Sequence, residues 1–105
     1  MDDSMPPSKP WQLDKIYIVD ANGTFRAQPP TKVIQAGQTI TWDGLKQRLD
    51  FVDDAEGQLA DIQYTNNHTV ATAKVNAAAG DFFEYNLLCK GLPVQGNSPP
   101  VIVVE

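Results

Sequence analysis

The chain contains one cysteine, Cys89, and one histidine, His68, and these two side chains have the greatest potential for chemistry. A thiolate is a nucleophile and a soft metal ligand, and an imidazole binds metals and accepts protons near neutral pH. A reactive thiol needs a nearby cation, but the adjacent Lys90 is expected to point outward. Because free cysteine is among the most often buried residue types, we expect Cys89 to be a small buried apolar side chain. His68 is expected to be a solvated residue of an asparagine-rich loop.

One histidine leaves too little material for a nucleophile–base arrangement, so we expect no enzymatic activity. The acidic residues between 50 and 61 lack the Asp-x-Asp-x-Asp-Gly order of a calcium loop, and a solvated turn is expected there. No cofactor and no metal centre are therefore predicted within one chain.

The charge and the first residues restrict the class of protein. The 105 residues have a net charge of -5 and their bases are scattered, so no nucleic-acid partner is predicted. Residues 1–10 are acidic and rich in proline, and are expected to form a flexible leader before a single domain over residues 11–105. The absence of a signal-peptide pattern and of a membrane span favours a cytoplasmic protein, unless a leader peptide has been removed.

Alternation of apolar and polar residues predicts about seven short β-strands and no long helix. The sequence Asp-Ala-Asn-Gly at 20–23 predicts a turn, and residues 31–35 and 38–42 are predicted to form a pair of strands around Ala-Gly. The other strands are expected at 13–19, 69–75, 82–89 and 101–104. Alternation places Ile40 and Trp42 on one face, and Trp42 is expected to be a core residue rather than a ligand-stacking platform. The inward face of strand 82–89 is predicted to comprise Phe83, Tyr85, Leu87 and Cys89.

Residues 45–64 have two competing interpretations. Leu45 and Leu49 have helical spacing, which would fit one or two helical turns capped by Asp43. Regular alternation over 49–51 and 60–64 instead predicts a hairpin joined by an acidic turn, with Gly57 in a conformation of positive φ. We favour the hairpin because both of its arms alternate.

Three segments carry a resemblance to a known family. They are Ala-Gly-Gln-Thr-Ile-Thr-Trp at 36–42, the strand that ends in Cys89, and the apolar run at 101–104. Together they resemble the cupredoxins, the blue-copper β-sandwiches. The resemblance implies an all-β fold, namely an antiparallel Greek-key β-sandwich of about seven strands.

In that family copper is held by a cysteine, two histidines and often a weak axial methionine. The resemblance aligns Cys89 with the ligand cysteine, but the loop over residues 90–100 contains neither histidine nor methionine. The stretch after Trp42, where the other histidine belongs, reads Asp-Gly-Leu, and both methionines lie in the leader. We therefore expect no type 1 copper site within one chain.

The loop over residues 90–100 is the predicted contact surface, because long loops on a rigid sandwich often carry binding residues. Alternatively, its apolar residues cap the end of the core. The candidate contact residues are Lys90, Leu92, Val94, Gln95 and Asn97.

The sequence thus predicts a non-catalytic, copper-free, cupredoxin-like domain that binds an unidentified protein or small ligand. The alternative function is a metal-binding or redox protein that uses Cys89 and His68, within one chain or across a dimer.

Overall fold

The computed structural model describes residues 14–52, 57–95 and 99–105, and within these ranges all regular structure is β-strand. The predicted all-β sandwich is confirmed, with eleven strands where about seven were expected. The predicted leader lies outside the described residues. No helix in the described ranges is long and apolar enough to cross a membrane. The strands are β1 (Lys15–Ala21), β2 (Thr24–Gln28), β3 (Thr31–Ile34), β4 (Thr39–Asp43), β5 (Leu49–Phe51), β6 (Leu59–Thr65), β7 (Val70–Val75), β8 (Phe82–Glu84), β9 (Leu87–Cys89), β10 (Leu92–Pro93) and β11 (Val101–Val104).

One layer is a five-stranded sheet in the order β2-β1-β4-β7-β6. Its first hairpin turns at the predicted site, where Asn22 and Gly23 have positive φ angles of 58° and 88°. The Asp20 carboxylate accepts a hydrogen bond from the Gly23 N–H at 2.8 Å, which fixes this turn. β4 occupies the centre of the sheet, and alternation along it buries Ile40 and Trp42 as predicted.

The other layer consists of two three-stranded sheets, β3-β11-β8 and β10-β9-β5. The prediction of one strand over 82–89 is wrong, because the chain divides into β8 and β9 at Tyr85 and Asn86. The Tyr85 N–H donates to the Pro100 carbonyl at 3.1 Å, whereas the Asn86 carbonyl accepts the Val52 N–H at 3.0 Å. The backbone around β8 and the backbone around β9 therefore form hydrogen bonds with different segments of the chain. The side chains on their inward face are buried as predicted.

The prediction of a fully antiparallel sandwich is wrong for two strand pairs. β1 is parallel to β4, and β3 is parallel to β11. The predicted pairing of strands 31–35 and 38–42 is also wrong, because β3 and β4 belong to different sheets. The turn at Gly37, where φ is 80°, carries the chain between the layers, so the strands on each side of it have distant partners.

Neither interpretation of residues 45–64 is correct. β5 pairs with β9 and β6 pairs with β7, so the two predicted arms are strands that do not pair with each other. Leu45 and Lys46 have positive φ angles of 52° and 75°, which excludes the helix. The Asp43 carboxylate accepts the Leu45 N–H at 2.8 Å and stabilises a turn instead. The predicted acidic turn over 53–56 lies outside the described residues.

The interior is centred on Trp42, which is fully buried as predicted. Its ring packs edge-on against Phe51 and Tyr85, with ring centroids 4.9 and 5.3 Å away. Edge-to-face contacts of this kind add to the stabilisation that comes from burial. Trp42 thus joins the five-stranded layer to the split layer.

Candidate functional site

A groove of about 340 Å³ lies beside β9, where the split layer divides. We call it the β9 groove. Most of its lining is apolar, and Asn86 and Gln95 contribute the polar side chains. The lining residues are Val52, Asn86, Leu87, Leu88, Pro93, Val94, Gln95 and Pro99.

The backbone after β9 forms one wall of this groove. Lys90 and Gly91 take positive φ angles of 52° and 79°, and this turn returns the chain antiparallel to β9 as β10. The Val94 N–H then donates to the Leu87 carbonyl at 2.9 Å. Gln95 connects this segment to β2. Its N–H donates to the Phe25 carbonyl, and its carbonyl accepts the Ala27 N–H. Residues 92–95 are therefore held by backbone hydrogen bonds on both sides.

The structure separates the five predicted contact residues. Lys90, Leu92 and Gln95 are exposed, and Leu92 has 51% of its surface accessible. Val94 is only 4% exposed and packs into the core, and it also lines the β9 groove. Asn97 lies outside the described residues. Pro93, Val94, Gln95 and Pro99 of the predicted contact loop line the groove.

Cys89 is fully buried and faces the interior, as predicted. Its cross-strand neighbours are Leu49 on one side and Leu92 on the other. Burial raises the pKa of the thiol to about 11, with Lys90 lowering it and Asp20 raising it by smaller amounts. The thiol is therefore protonated at neutral pH, which makes it a poor nucleophile and a poor metal ligand.

A polar group that the sequence did not predict surrounds His68. We call Arg48, Asp50, Tyr64 and His68 the His68 cluster. His68 Nδ1 lies 3.1 Å from Asp50 Oδ1, and Arg48 Nε donates to Asp50 Oδ2 at 2.9 Å. The imidazole stacks on the Tyr64 ring with centroids 4.2 Å apart and planes 7° from parallel. His68 lies in a turn, as expected, but it is half-buried and contacts Asp50 and Tyr64 rather than being fully solvated.

The turn before β7 sets the position of this imidazole. Asn66, Asn67 and His68 have successive positive φ angles of 53°, 60° and 69°. Asparagine tolerates this left-handed conformation better than most residues. The Asn-Asn pair was the available signal in the sequence. It predicts a tight turn, but it does not reveal that the turn stacks His68 on Tyr64 or brings it to Asp50.

The arrangement separates Cys89 from His68. Leu49, which faces Cys89 across the strand pair, is buried, whereas the next residue, Asp50, points to the partly exposed side where His68 binds it. Successive side chains of a strand lie on opposite faces. Cys89 and His68 therefore lie on opposite sides of the β10-β9-β5 sheet and do not form one site.

The surroundings of Cys89 do not fit a type 1 copper ion. Leucines occupy both cross-strand positions, and the histidine lies on the other side of the sheet. Across the described ranges, no group of three or more His, Cys, Asp or Glu side chains could hold a metal ion.

No protein-family model matches this chain, and no curated protein is significantly similar to it. Function must therefore be inferred from the groove, the surfaces and the chemistry of the described residues.

Proposed function

We propose that this chain is a non-catalytic, copper-free, cupredoxin-like domain that binds a small, mainly apolar ligand in the β9 groove. The observation that carries the proposal is the lining of the groove, in which apolar side chains surround two carboxamides. Ligand sites typically have volumes of roughly 300–1,000 Å³ and combine an apolar lining with a few polar groups. At about 340 Å³, the groove is large enough for a neutral ligand of up to three aromatic rings.

The polar groups at the groove favour a neutral ligand. Gln95 is exposed and its backbone is hydrogen-bonded to β2, so its carboxamide offers a donor and an acceptor at the groove. Among the residues that the structure describes, no charged side chain lines the groove. A neutral aromatic or aliphatic ligand with one polar substituent matches this lining.

The copper-free and non-catalytic parts of the proposal are supported by Cys89. The thiol is buried between two leucines and has a raised pKa, which disfavours both metal binding and nucleophilic catalysis. The cupredoxin-like part is supported by the position of the resembling segments. Trp42, the penultimate residue of β4, packs against Tyr85, which precedes β9, and β11 pairs with β8.

The experiment uses N-phenyl-1-naphthylamine, a neutral probe whose fluorescence rises in apolar surroundings. We expect saturable binding, weakened about fivefold by Leu88→Gln, because the variant removes about 1 kcal/mol of apolar contact from the groove. Leu45→Gln is the matched control, since Leu45 is exposed and does not line the groove. Equal affinities for the two variants, or no saturable binding by the wild type, would refute the proposal. Thermal melting checks that both variants are folded.

A further inference from the structure

The outer face of the β3-β11-β8 sheet carries an exposed apolar row that is separate from the β9 groove. Val33, Val103 and Phe82 are cross-strand neighbours in successive strands. We call them the Phe82 row. Phe82 is 73% exposed and Val33 is 47% exposed. Their strand neighbours Phe83, Ile102 and Ile34 supply the core from the opposite face, so the fold does not need apolar side chains here.

Two carboxylates flank this row in the described structure. On one side of the Phe82 row, two residues along the strands, Glu84 pairs with Val101. On the other side of the row lies the exposed Glu105, which directly follows β11. The only base in the three strands is Lys32, which is 9% exposed and lies on the alternate, inner side of β3. The face therefore presents apolar side chains between carboxylates, with no cation of its three strands beside them.

We propose that this face binds a basic amphipathic helix of a partner protein, with the helix lying along the Phe82 row. Its apolar stripe would cover Val33, Val103 and Phe82. Its lysine or arginine side chains would lie on both flanks, toward Glu84 and Glu105. This surface is independent of the groove and does not rest on the function proposed for it.

The spacing of the face matches a helix. Adjacent strands are about 4.8 Å apart, so the three side chains of the row span about 10 Å. Residues i and i+7 of a helix are separated by about 10.5 Å, and i, i+3, i+4 and i+7 form one stripe. Each carboxylate row lies about 6.8 Å to one side of the Phe82 row, since residues i and i+2 of a strand have that separation. A helix about 10 Å wide thus brings its flanks over the carboxylates.

Charge complementarity distinguishes this partner from other occupants. A second copy of the chain would bring Glu84 and Glu105 against the same carboxylates, and each copy already has a net charge of -5. Anionic membranes and nucleic acids would meet the same repulsion. A basic helix is the occupant whose charges complement the face.

The probe is a fluorescently labelled, acetylated peptide of Leu and Lys with leucines at i, i+3, i+4 and i+7. Its counterpart has Glu at every Lys position. By fluorescence anisotropy we expect the Lys peptide to bind and the Glu peptide not to bind. Phe82→Thr, which keeps a residue suited to a strand, should weaken the affinity at least about tenfold. Glu84→Gln should weaken it about threefold and reduce its dependence on salt.

Two matched variants control for position. Leu45→Gln removes an exposed apolar side chain elsewhere, and Asp61→Asn removes one exposed negative charge elsewhere, so both should retain the wild-type affinity. Leu88→Gln should also retain it, which separates this surface from the β9 groove. The proposal is overturned if the Glu peptide binds as well as the Lys peptide, or if Phe82→Thr behaves like Leu45→Gln. Sedimentation that shows a dimer abolished by Phe82→Thr would overturn it in favour of a second copy.

Discussion

Two aromatic clusters lie close together in this molecule and are stabilised in different ways. In the interior cluster, Trp42, Phe51 and Tyr85 meet edge-on or tilted, with centroids between 4.9 and 6.3 Å apart. In the His68 cluster, the imidazole and the Tyr64 ring stack face to face. Phe51 belongs to both regions, because its ring packs on Trp42 while its N–H donates to the Tyr64 hydroxyl at 2.9 Å.

The hydrogen bonds of the two clusters differ more than their rings. Within the described residues, Trp42 Nε1 and the Tyr85 hydroxyl are buried without a hydrogen-bond partner, whereas the imidazole Nδ1 of His68 and the Tyr64 hydroxyl have partners. Burial raises the pKa of Tyr85 well above its ordinary value, and a weak hydrogen-bond interaction with the Trp42 indole, which does not reach good hydrogen-bond geometry, opposes the rise. The interior cluster therefore depends on apolar burial and leaves polar atoms unsatisfied, while the surface cluster depends on polar contacts.

The largest difference should appear when an aromatic ring is deleted. Trp42→Ala should lower the free energy of unfolding by about 3–5 kcal/mol, because a buried indole is lost and a cavity remains. Tyr64→Ala, the matched deletion in the His68 cluster, should cost about 1–2 kcal/mol, since the ring is half-buried. Urea denaturation of both variants measures the difference. Equal losses would show that the two clusters contribute equally to stability.

Raising the pH should destabilise the protein, because the buried thiol of Cys89 resists ionisation in the folded state. Cys89 has a folded-state pKa of about 11 against an ordinary value of 9.0, so between these values the folded state retains a proton that the unfolded state loses. The stabilisation is complete below pH 9 and is lost as the pH rises toward 11. Denaturation midpoints should therefore fall over this range. The denaturation midpoint of Cys89→Ala should fall less steeply with pH than that of the wild type. If the two midpoints fell with the same slope, a contribution from the thiol would be excluded.

A smaller effect is expected in the His68 cluster. His68→Asn keeps a residue that tolerates positive φ but removes the stacked ring and the contact with Asp50. The loss should be about 0.5–1 kcal/mol by urea denaturation, because the cluster is partly exposed. Arg48→Gln, which removes only the exposed ion pair with Asp50, should cost less. A loss from His68→Asn as large as that from Trp42→Ala would contradict the contrast between the clusters.

The smallest change should come from Tyr85→Phe. Its hydroxyl is buried without a partner among the described residues, so its removal should change the stability by less than about 0.5 kcal/mol or increase it. Tyr64→Phe, whose hydroxyl accepts the Phe51 N–H, should cost about 1 kcal/mol and serves as the comparison. A larger loss from Tyr85→Phe than from Tyr64→Phe would show that the buried hydroxyl is hydrogen-bonded.

The interior of the molecule shows which features the sequence predicts and which it does not. Alternation depends on neighbouring residues alone, so it predicted the inward faces that bury Trp42 and Cys89. Pairing depends on residues far apart in the chain. The favoured hairpin over 49–64 was therefore wrong, because β5 finds its partner in β9 instead.

The candidate sites were predicted only in part. The contact loop after Cys89 stays a prediction: Lys90, Leu92 and Gln95 are exposed, whereas Val94 turns inward where its N–H donates to the Leu87 carbonyl. The His68 cluster combines residues from β5, β6 and a left-handed turn, and nothing in the local pattern relates them. The Phe82 row could not be predicted either, since it needs the register of β3, β11 and β8.

The place of β11 has a consequence for biosynthesis. β11 lies between β3 and β8, so these two strands share a sheet only through residues 101–104. At roughly 5–20 residues per second, a ribosome makes β3 several seconds before β11. Ribosome-bound chains arrested before residue 101 should therefore remain sensitive to protease, in contrast to chains released in full. Throughout that interval the nascent chain presents an unpaired strand edge, which is the kind of segment that chaperones bind and that aggregates form from.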